Sequence, residues 1–270
     1  MYFSKNVDVK DIEYQGTFWH TCFDGYTREC KIYICSRTGE IIYYWIPDEL
    51  LGRNSSYKIG KGDIDNYILY LRPANGNIFS INLCRDATKA CTLACLGNTS
   101  GHMKRDKVQA YQHNKTLFYI LDPSGFKEKL SKDINKAIRR YQRTGIPFAI
   151  RLNGTSDISW VSIIKAFPNV QFYDYTKSVK RANTNKFSNY HLTLSHSGYN
   201  KLECISYLDN GGNVAAVVLG ERPKTLWGFP TINADKDDNR FFDPPGHVSV
   251  LSIKGRQSKE LLKDPFFIKV

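Results

Sequence analysis

The chain has 270 residues, with 38 Lys and Arg against 26 Asp and Glu, a formal net charge of +12. A hydrophobic fraction of 41% and an aromatic fraction of 13% exclude a disordered, collagenous or coiled-coil protein, which needs low apolar content or a strict repeat. No apolar run approaches the ~20 residues of a membrane helix, and the opening MYFSKNVDVKDIEYQ has acidic residues and no apolar core of a signal peptide. A protein of the reducing cytoplasm, with no membrane role, is expected.

Residues 1–75 read as short strands. Cys30 to Pro47 is β-rich on both sides of a Thr38-Gly39 turn signal and reads as a hairpin. Asn54 to Gly62 reads as loop, Tyr67 to Leu71 as a strand, and Pro73-Ala-Asn-Gly76 as a boundary. Beyond it, strands and helices alternate. Ile78 to Leu83 reads as a strand and Cys84 to Gly101 as a loop with a helical turn. Asp106 to Leu121 reads as helix. Phe126, Leu130, Ile134, Ile138 and Tyr141 make one face of a second helix, capped by the turn Asp122-Pro-Ser-Gly125 and ended by Gly145. Phe148 to Leu152, Val170 to Tyr175, Tyr190 to Leu194, Val214 to Leu219, Thr231 to Asn233 and Val248 to Ile253 follow as strands, with helices at Ile158 to Phe167 and Lys201 to Leu208. Such alternation implies a parallel sheet covered by helices. The expectation is an α/β fold: a small β-rich part over 1–75, then a partial (β/α) barrel domain over 76–270. In such a barrel the loops Cys84–Gly101, Asn153–Asp157, Thr176–Arg181, Ser195–Asn200 and Asp235–Asp243 converge on one mouth.

The seven cysteines are an odd number for a disulfide framework. Cys22, Cys30, Cys35 and Cys204 are scattered and read as core. Cys84, Cys91 and Cys95 form C-x6-C-x3-C in a polar loop among Arg85, Asp86 and Lys89. Thiolates are soft ligands for iron–sulfur clusters or zinc. Three local thiols can hold a [4Fe-4S] cluster and leave one iron open, and His102 is available as a fourth, zinc-type ligand. Elsewhere, Asp174 and Lys177 stand at a strand end and His196 just beyond another, where they could meet a substrate. His191 reads as a core histidine. Asp235, Asp237, Asp238 and Asp243 read as a polar turn. Thr155 or Ser156 could cap a helix at Ile158. The basic balance suits a nucleic acid or phosphorylated partner, with Arg139, Arg140 and Arg143 and the segment Lys177–Lys186 as contacts.

Residues 76–256 resemble the phage "gene product 88" proteins. The resemblance rests on Cys84-RDATKA-Cys91-TLA-Cys95, Gly101 and Val108-Gln-Ala-Tyr-Gln-His-Asn114, with Arg151-Leu-Asn-Gly-Thr-Ser-Asp157 at a strand end. It continues through Val170-Gln-Phe-Tyr-Asp-Tyr-Thr-Lys177, His191-Leu-Thr-Leu-Ser195 and Asp238-Asn-Arg-Phe-Phe-Asp-Pro-Pro-Gly246. That family in turn is similar to the radical SAM proteins, whose usual spacing is C-x3-C-x2-C. The resemblance implies a partial barrel with a [4Fe-4S] cluster on Cys84, Cys91 and Cys95. It implies S-adenosylmethionine (SAM) on the open iron beside Asn153, Gly154, Ser156 and Asp157, an electron donor and residence in a host cytoplasm; with the basic charge, the expected substrate is a nucleotide or nucleic acid. With no cysteine beyond Cys204, no second cluster is expected. The alternative is a non-catalytic nucleic-acid-binding protein stabilised by zinc or a cluster; a third possibility is a fold whose cysteines only pack.

Overall fold

A computed structural model describes residues 7–22, 24–53, 64–74, 76–254 and 257–270; the expected loop at 54–62 lies outside the described residues. Strands β1 (Ile12–Thr21), β2 (Thr27–Cys35) and β3 (Ile41–Tyr44) make a three-stranded antiparallel sheet. The β2–β3 pair is the hairpin that the Thr38-Gly39 signal implied, with Gly39 at φ 71°. β4 (Leu51–Arg53) and β5 (Asp65–Leu69) enter a second, ten-stranded sheet, so residues on both sides of position 75 build it.

Two short helices, α1 (Lys89–Leu93) and α2 (Leu96–Thr99), precede the long α3 (Asp106–Leu121) and α4 (Pro123–Thr144). Asp122 caps α4 by accepting from the Gly125 amide at 2.9 Å, and Gly145, at φ 69°, ends it in the left-handed conformation that glycine tolerates. Phe126, Leu130, Ile134 and Ala137 of α4 are buried. Each of the larger three contributes roughly 1.5–3 kcal/mol of burial free energy. The alternating series continues as β6 (Phe148–Arg151), α5 (Val161–Ala166), β7 (Gln171–Thr176), α6 (Val179–Thr184), β8 (Tyr190–Ser195), α7 (Lys201–Asp209) and β9 (Asn213–Leu219). It closes with β10 (Thr225–Leu226), β11 (Phe229–Asn233), β12 (Val248–Ser252) and β13 (Phe267–Lys269).

The sheet order is β10-β11-β12-β9-β8-β7-β6-β5-β4. β5 to β9 lie side by side in chain order, all parallel. β4 and β10 are antiparallel at the two edges, and β13 pairs with the end of β9 beyond β8. The fold is thus α/β, a large mixed sheet with helices, and among the described residues no helix is long and apolar enough to cross a membrane.

Strand alternation divides the sheet into two faces. Leu69, Ile150, Phe172, Tyr190 and Leu192 join the helices in one hydrophobic cluster, and Leu194, Val214, Ala216 and Val248 join α7 in a second. The opposite face carries Asn66, Arg151, Tyr173, Tyr175, His191, Thr193 and Ser249.

The expected strand Ile78–Leu83 is a loop. Its Ile78 and Phe79 are buried, which gives the segment its apolar look, but Asn77 holds it in a turn. The Asn77 amide donates to the Ile81 carbonyl at 2.7 Å, its carbonyl oxygen accepts from the Ile81 amide at 3.2 Å, and Ser80 has φ 52°. Local side-chain bonds of this kind displace a ladder. The strand that leads into the cysteine loop is therefore β5. Likewise α5 starts at Val161, not Ile158, because Asn153 captures the Ile158 amide.

A tight seam joins β5 to the segment after β6. The Gly154 amide donates to the Leu69 carbonyl at 2.9 Å, and a Cβ at Gly154 would lie 2.6 Å from Tyr70 Cδ1 and 2.8 Å from the Leu69 oxygen. Gly154→Ala is expected to destabilise the protein by about 1–3 kcal/mol through overpacking. Gly101→Ala, whose added Cβ meets nothing within 4 Å, is expected to cost far less. Urea unfolding of the two variants measures both.

Candidate metal centre at the carboxyl edge of the sheet

The loop that follows β5 crosses the carboxyl ends of the parallel strands. Three contacts pin it there. The Thr155 hydroxyl donates to the Leu71 carbonyl. The Asp157 amide donates to the Leu83 carbonyl at 2.8 Å. The Cys84 thiol reaches the Thr155 carbonyl at 3.7 Å. α1 then starts at Thr88, whose hydroxyl oxygen accepts from the Cys91 amide at 3.3 Å and donates to the Ser197 carbonyl at 3.3 Å. Cys95 opens α2, where Gly97 packs against Thr155 and Pro73. Cys91 and Ala94 pack with Val217, Leu219, Phe266 and Phe267 at the end of β9. Four of the five loops expected at one mouth thus meet here: 84–101, 153–157, 176–181 and 195–200.

Cys84, Cys91 and Cys95 are free thiols, each partly buried. Burial pushes the Cys84 thiol up to about 11, with Cys95 and Asp157 adding to the rise, and burial also raises Cys95. Two cations face them. Burial works against the Lys177 ammonium, yet Cys91, Asp157 and Cys84 carry its pKa upward. Burial lowers the Arg72 pKa while Cys95 opposes the change. Arg72 Nε donates to the Gly76 carbonyl at 3.1 Å, and its buried Nη1 has no partner among the described residues. No group of three His, Cys, Asp or Glu among the described residues is arranged to hold one metal ion. His102 is exposed at the start of a single helical turn.

The segment 153–157 is held from within. Asn153 Oδ1 accepts from Ser156 Oγ at 3.0 Å, from the Ile158 amide at 2.9 Å and from Trp160 Nε1 at 3.2 Å. Ser156 and Thr155 therefore spend their hydroxyls on the turn and on Leu71, and neither caps α5. Asp157 accepts from the Lys177 amide at 2.8 Å, from the Thr176 hydroxyl at 3.2 Å and from Arg181. Asp174 lies on the helix-covered face, fully buried, and accepts from the Asn153 amide at 2.7 Å and the Tyr190 hydroxyl at 3.0 Å. Burial lifts its pKa to about 6. His196 is buried 5.2 Å from the Trp227 ring, with no partner for Nδ1 among the described residues, and burial lowers it to about 4.

The polar face of the sheet holds residues that motif reading passed over. The Arg151 guanidinium lies 4.7 Å from the Tyr175 ring centroid and 3.9 Å from Asp238. The Tyr173 hydroxyl donates to Asn66, whose amide donates to Asn239. Arg240, 1% exposed, pairs with Asp237 and Asp243 at 2.9 Å each. The acidic segment 235–243 follows β11, turns over the polar face and anchors a buried arginine. Five polar atoms on this surface have no hydrogen-bond partner among the described residues: Arg151 Nε, Tyr175 Oη, His191 Nε2, Thr193 Oγ1 and Arg240 Nε. Buried polar groups are ordinarily satisfied by protein or ordered water. The available signal was polar alternation, Tyr173/Tyr175 and His191/Thr193, in strands that a doubly covered parallel sheet would make uniformly apolar.

The fold and this edge define an α/β protein that gathers three thiols and two cations at the carboxyl ends of parallel strands. The chain belongs to the gene product 88 family, whose model matches residues 49–263. That match extends the kinship back across β4 and β5, which the likeness read from 76–256 left outside. No curated protein and no solved structure matches the chain.

Three histidines, two buried and one half-buried, set an acid limit on stability. Burial lowers His113, His191 and His196 to about 4 each. An unfolded chain, with histidines near 6.5, binds protons between pH 6.5 and 4 that the folded chain refuses, so stability falls as pH drops through that window. Asp174, raised to about 6, and Asp243, also raised by burial, act in the opposite sense, because a raised carboxyl pKa favours the folded, protonated form in acid. Three against two, the urea midpoint is expected to fall from pH 6.5 to pH 4.5, and His191→Gln is expected to flatten the fall. A midpoint that rises toward acid would contradict this.

Proposed function

We propose that this chain is an iron–sulfur protein of radical-SAM-like type, built on a partial (β/α) barrel and acting on a nucleotide or nucleic acid. The observation that carries the reading is the convergence of Cys84, Cys91 and Cys95 with Lys177 and Arg72 at the carboxyl edge of strands that follow one another in order. The in-order parallel run from β5 to β9 favours the barrel reading, because such folds carry their chemistry at this end.

The donor set fits the group. The three thiols are not consumed in disulfides, thiolates are the ligands iron–sulfur clusters take, and two neighbouring cations oppose the burial that raises Cys84 and Cys95. Because the three sulfurs do not already meet at one point, loading requires adjustment within 84–95, a stretch held by turns and short helices rather than ladders. When bound, the cluster would supply the electron, taken from a separate donor, that cleaves SAM.

The chain's own residues then have separable tasks. Asp157, beside Cys84, would turn its carboxylate toward the SAM amine in exchange for one of its present donors, Arg181, Thr176 or the Lys177 amide. Asn153 and Ser156 fix the turn that presents it, and Gly154 lets that turn lie flat on β5. Asp174 acts through Asn153 as a positioning residue. Lys177 offsets the negative charge of the thiolates, and His196 borders the same mouth as a neutral imidazole. Arg151, Tyr175 and Thr193 offer a substrate the unpartnered polar atoms of the inner face.

Anaerobic expression with iron and sulfide tests the reading. The expected product is brown, with about four irons per chain, and it gives a heat of binding with SAM. Cys91→Ser is expected to lose at least tenfold in bound iron, whereas Cys204→Ser, whose thiol is fully buried in the second core cluster, is expected to keep it. A colourless protein with one zinc would support the metal-stabilised nucleic-acid-binding alternative. Full iron in Cys91→Ser would overturn the ligand assignment.

A further inference from the structure

The long helix α4 borders a groove at the other end of the sheet. Its cavity, about 460 Å³, is lined by Arg53, Lys136, Arg139, Arg140 and Arg143 against Glu49 and Asp133, together with Leu51 and Tyr67. A second hollow of about 340 Å³ shares Glu49 and Lys136 with it and extends past Arg28, Trp45 and Tyr111. We propose that this continuous groove is a docking site for single-stranded nucleic acid, separate from the cysteine edge.

The charges support a phosphate ligand. Asp133 is engaged by Lys129 and by the Leu50 amide, both at 2.6 Å. Glu49 pairs with Lys136, and Asp65 with Arg140 at 2.8 Å and Arg53 at 3.5 Å. Arg139 and Arg143 are exposed, and no carboxylate pairs with either among the described residues. They stand one helical turn apart, about 6 Å along the axis, on the same side of α4. Guanidinium forks match phosphate oxygens.

The rings support bases in preference to an acidic peptide. Tyr111, Tyr141 and Tyr26 are 38%, 46% and 62% exposed. Arg28 sits over the Tyr26 ring at 5.1 Å and the Trp45 ring at 4.9 Å. Tyr141 continues through Phe148 to Tyr67 in the groove wall. A cationic track with aromatic faces beside it is how single strands are held without sequence preference. The position follows from topology. Arg140 pairs with Asp65, the first residue of β5, whereas the cysteines follow the last. The groove therefore anchors a strand at a distance from the thiols and does not depend on a metal there.

The test uses metal-free protein and a fluorescein-labelled oligothymidylate of about 15 nucleotides, with anisotropy read over a salt series. The wild-type affinity is expected to fall steeply with salt. Arg139→Gln/Arg143→Gln is expected to weaken binding at least tenfold at low salt and to reduce the log–log salt slope by about 1.4, or 0.7 per lost phosphate contact. Lys127→Gln/Lys263→Gln removes the same charge from exposed positions outside the groove and is expected to bind as wild type. Cys91→Ser is also expected to bind as wild type, which separates this proposal from the cluster. Equal losses in the two double variants would reduce the effect to net charge and overturn the site. Equal competition by duplex DNA would overturn the single-strand assignment, and equal competition by polyglutamate would overturn the nucleic-acid assignment.

Discussion

The contact on which the arrangement depends is the flat approach of Gly154 to the end of β5. With no Cβ, the chain leaving β6 donates its Gly154 amide to the Leu69 carbonyl. The Thr155 hydroxyl then reaches Leu71 and the Thr155 carbonyl receives the Cys84 thiol. One glycine thus fixes the exit of one parallel strand against the exit of its neighbour and puts the cysteine loop on top of both. The next links are polar: Asp157 ties this turn to Lys177 and Arg181 after β7, and Thr88 ties the cysteine loop to Ser197 after β8. Glycine at position 154 serves close packing first, and any ligand at this edge inherits the geometry.

Electrostatics divides the molecule in the same way. On the helix-covered face the charged groups are few and fully engaged, as with Asp174 between Asn153 and Tyr190. On the opposite face the buried charges come as a network of Arg151 and Arg240 with Asp237, Asp238 and Asp243. Burying such groups costs several kcal/mol each unless they are well paired, and this surface still leaves five polar atoms unmet among the described residues. A fold that only needed stability would fill that face with apolar side chains.

Much of the scaffold was legible in the sequence because local rules and tertiary packing agree there. The 126–141 stripe, the Asp122 cap and Gly145 specify α4, and the strands from 148 onward carry apolar runs bounded by turn residues. The failures share a cause: a polar side chain that bonds to nearby backbone. Asn77 turned an apolar segment into a loop, and Asn153 delayed α5 to Val161. Long-range pairing was equally hidden. Nothing local to Asp65–Leu69 says that it is the first parallel strand, because that depends on β6, some eighty residues further on. The cysteine spacing was visible, but the partners that give it chemical meaning, Lys177 and Arg72, come from distant segments. The polar face was only half legible: alternation marks Tyr173/Tyr175 and His191/Thr193 within their own strands, but only the register places Arg151, Tyr175 and Thr193 on one surface.

The cluster proposed for Cys84, Cys91 and Cys95 has one iron free to take a ligand. Mössbauer spectroscopy of protein loaded with enriched iron, recorded with and without SAM, addresses it most directly. The expected result is a cluster spectrum in which SAM changes a single iron subsite and leaves the others in place. A cluster spectrum that SAM does not alter, with the cluster intact by absorbance, would contradict the claim.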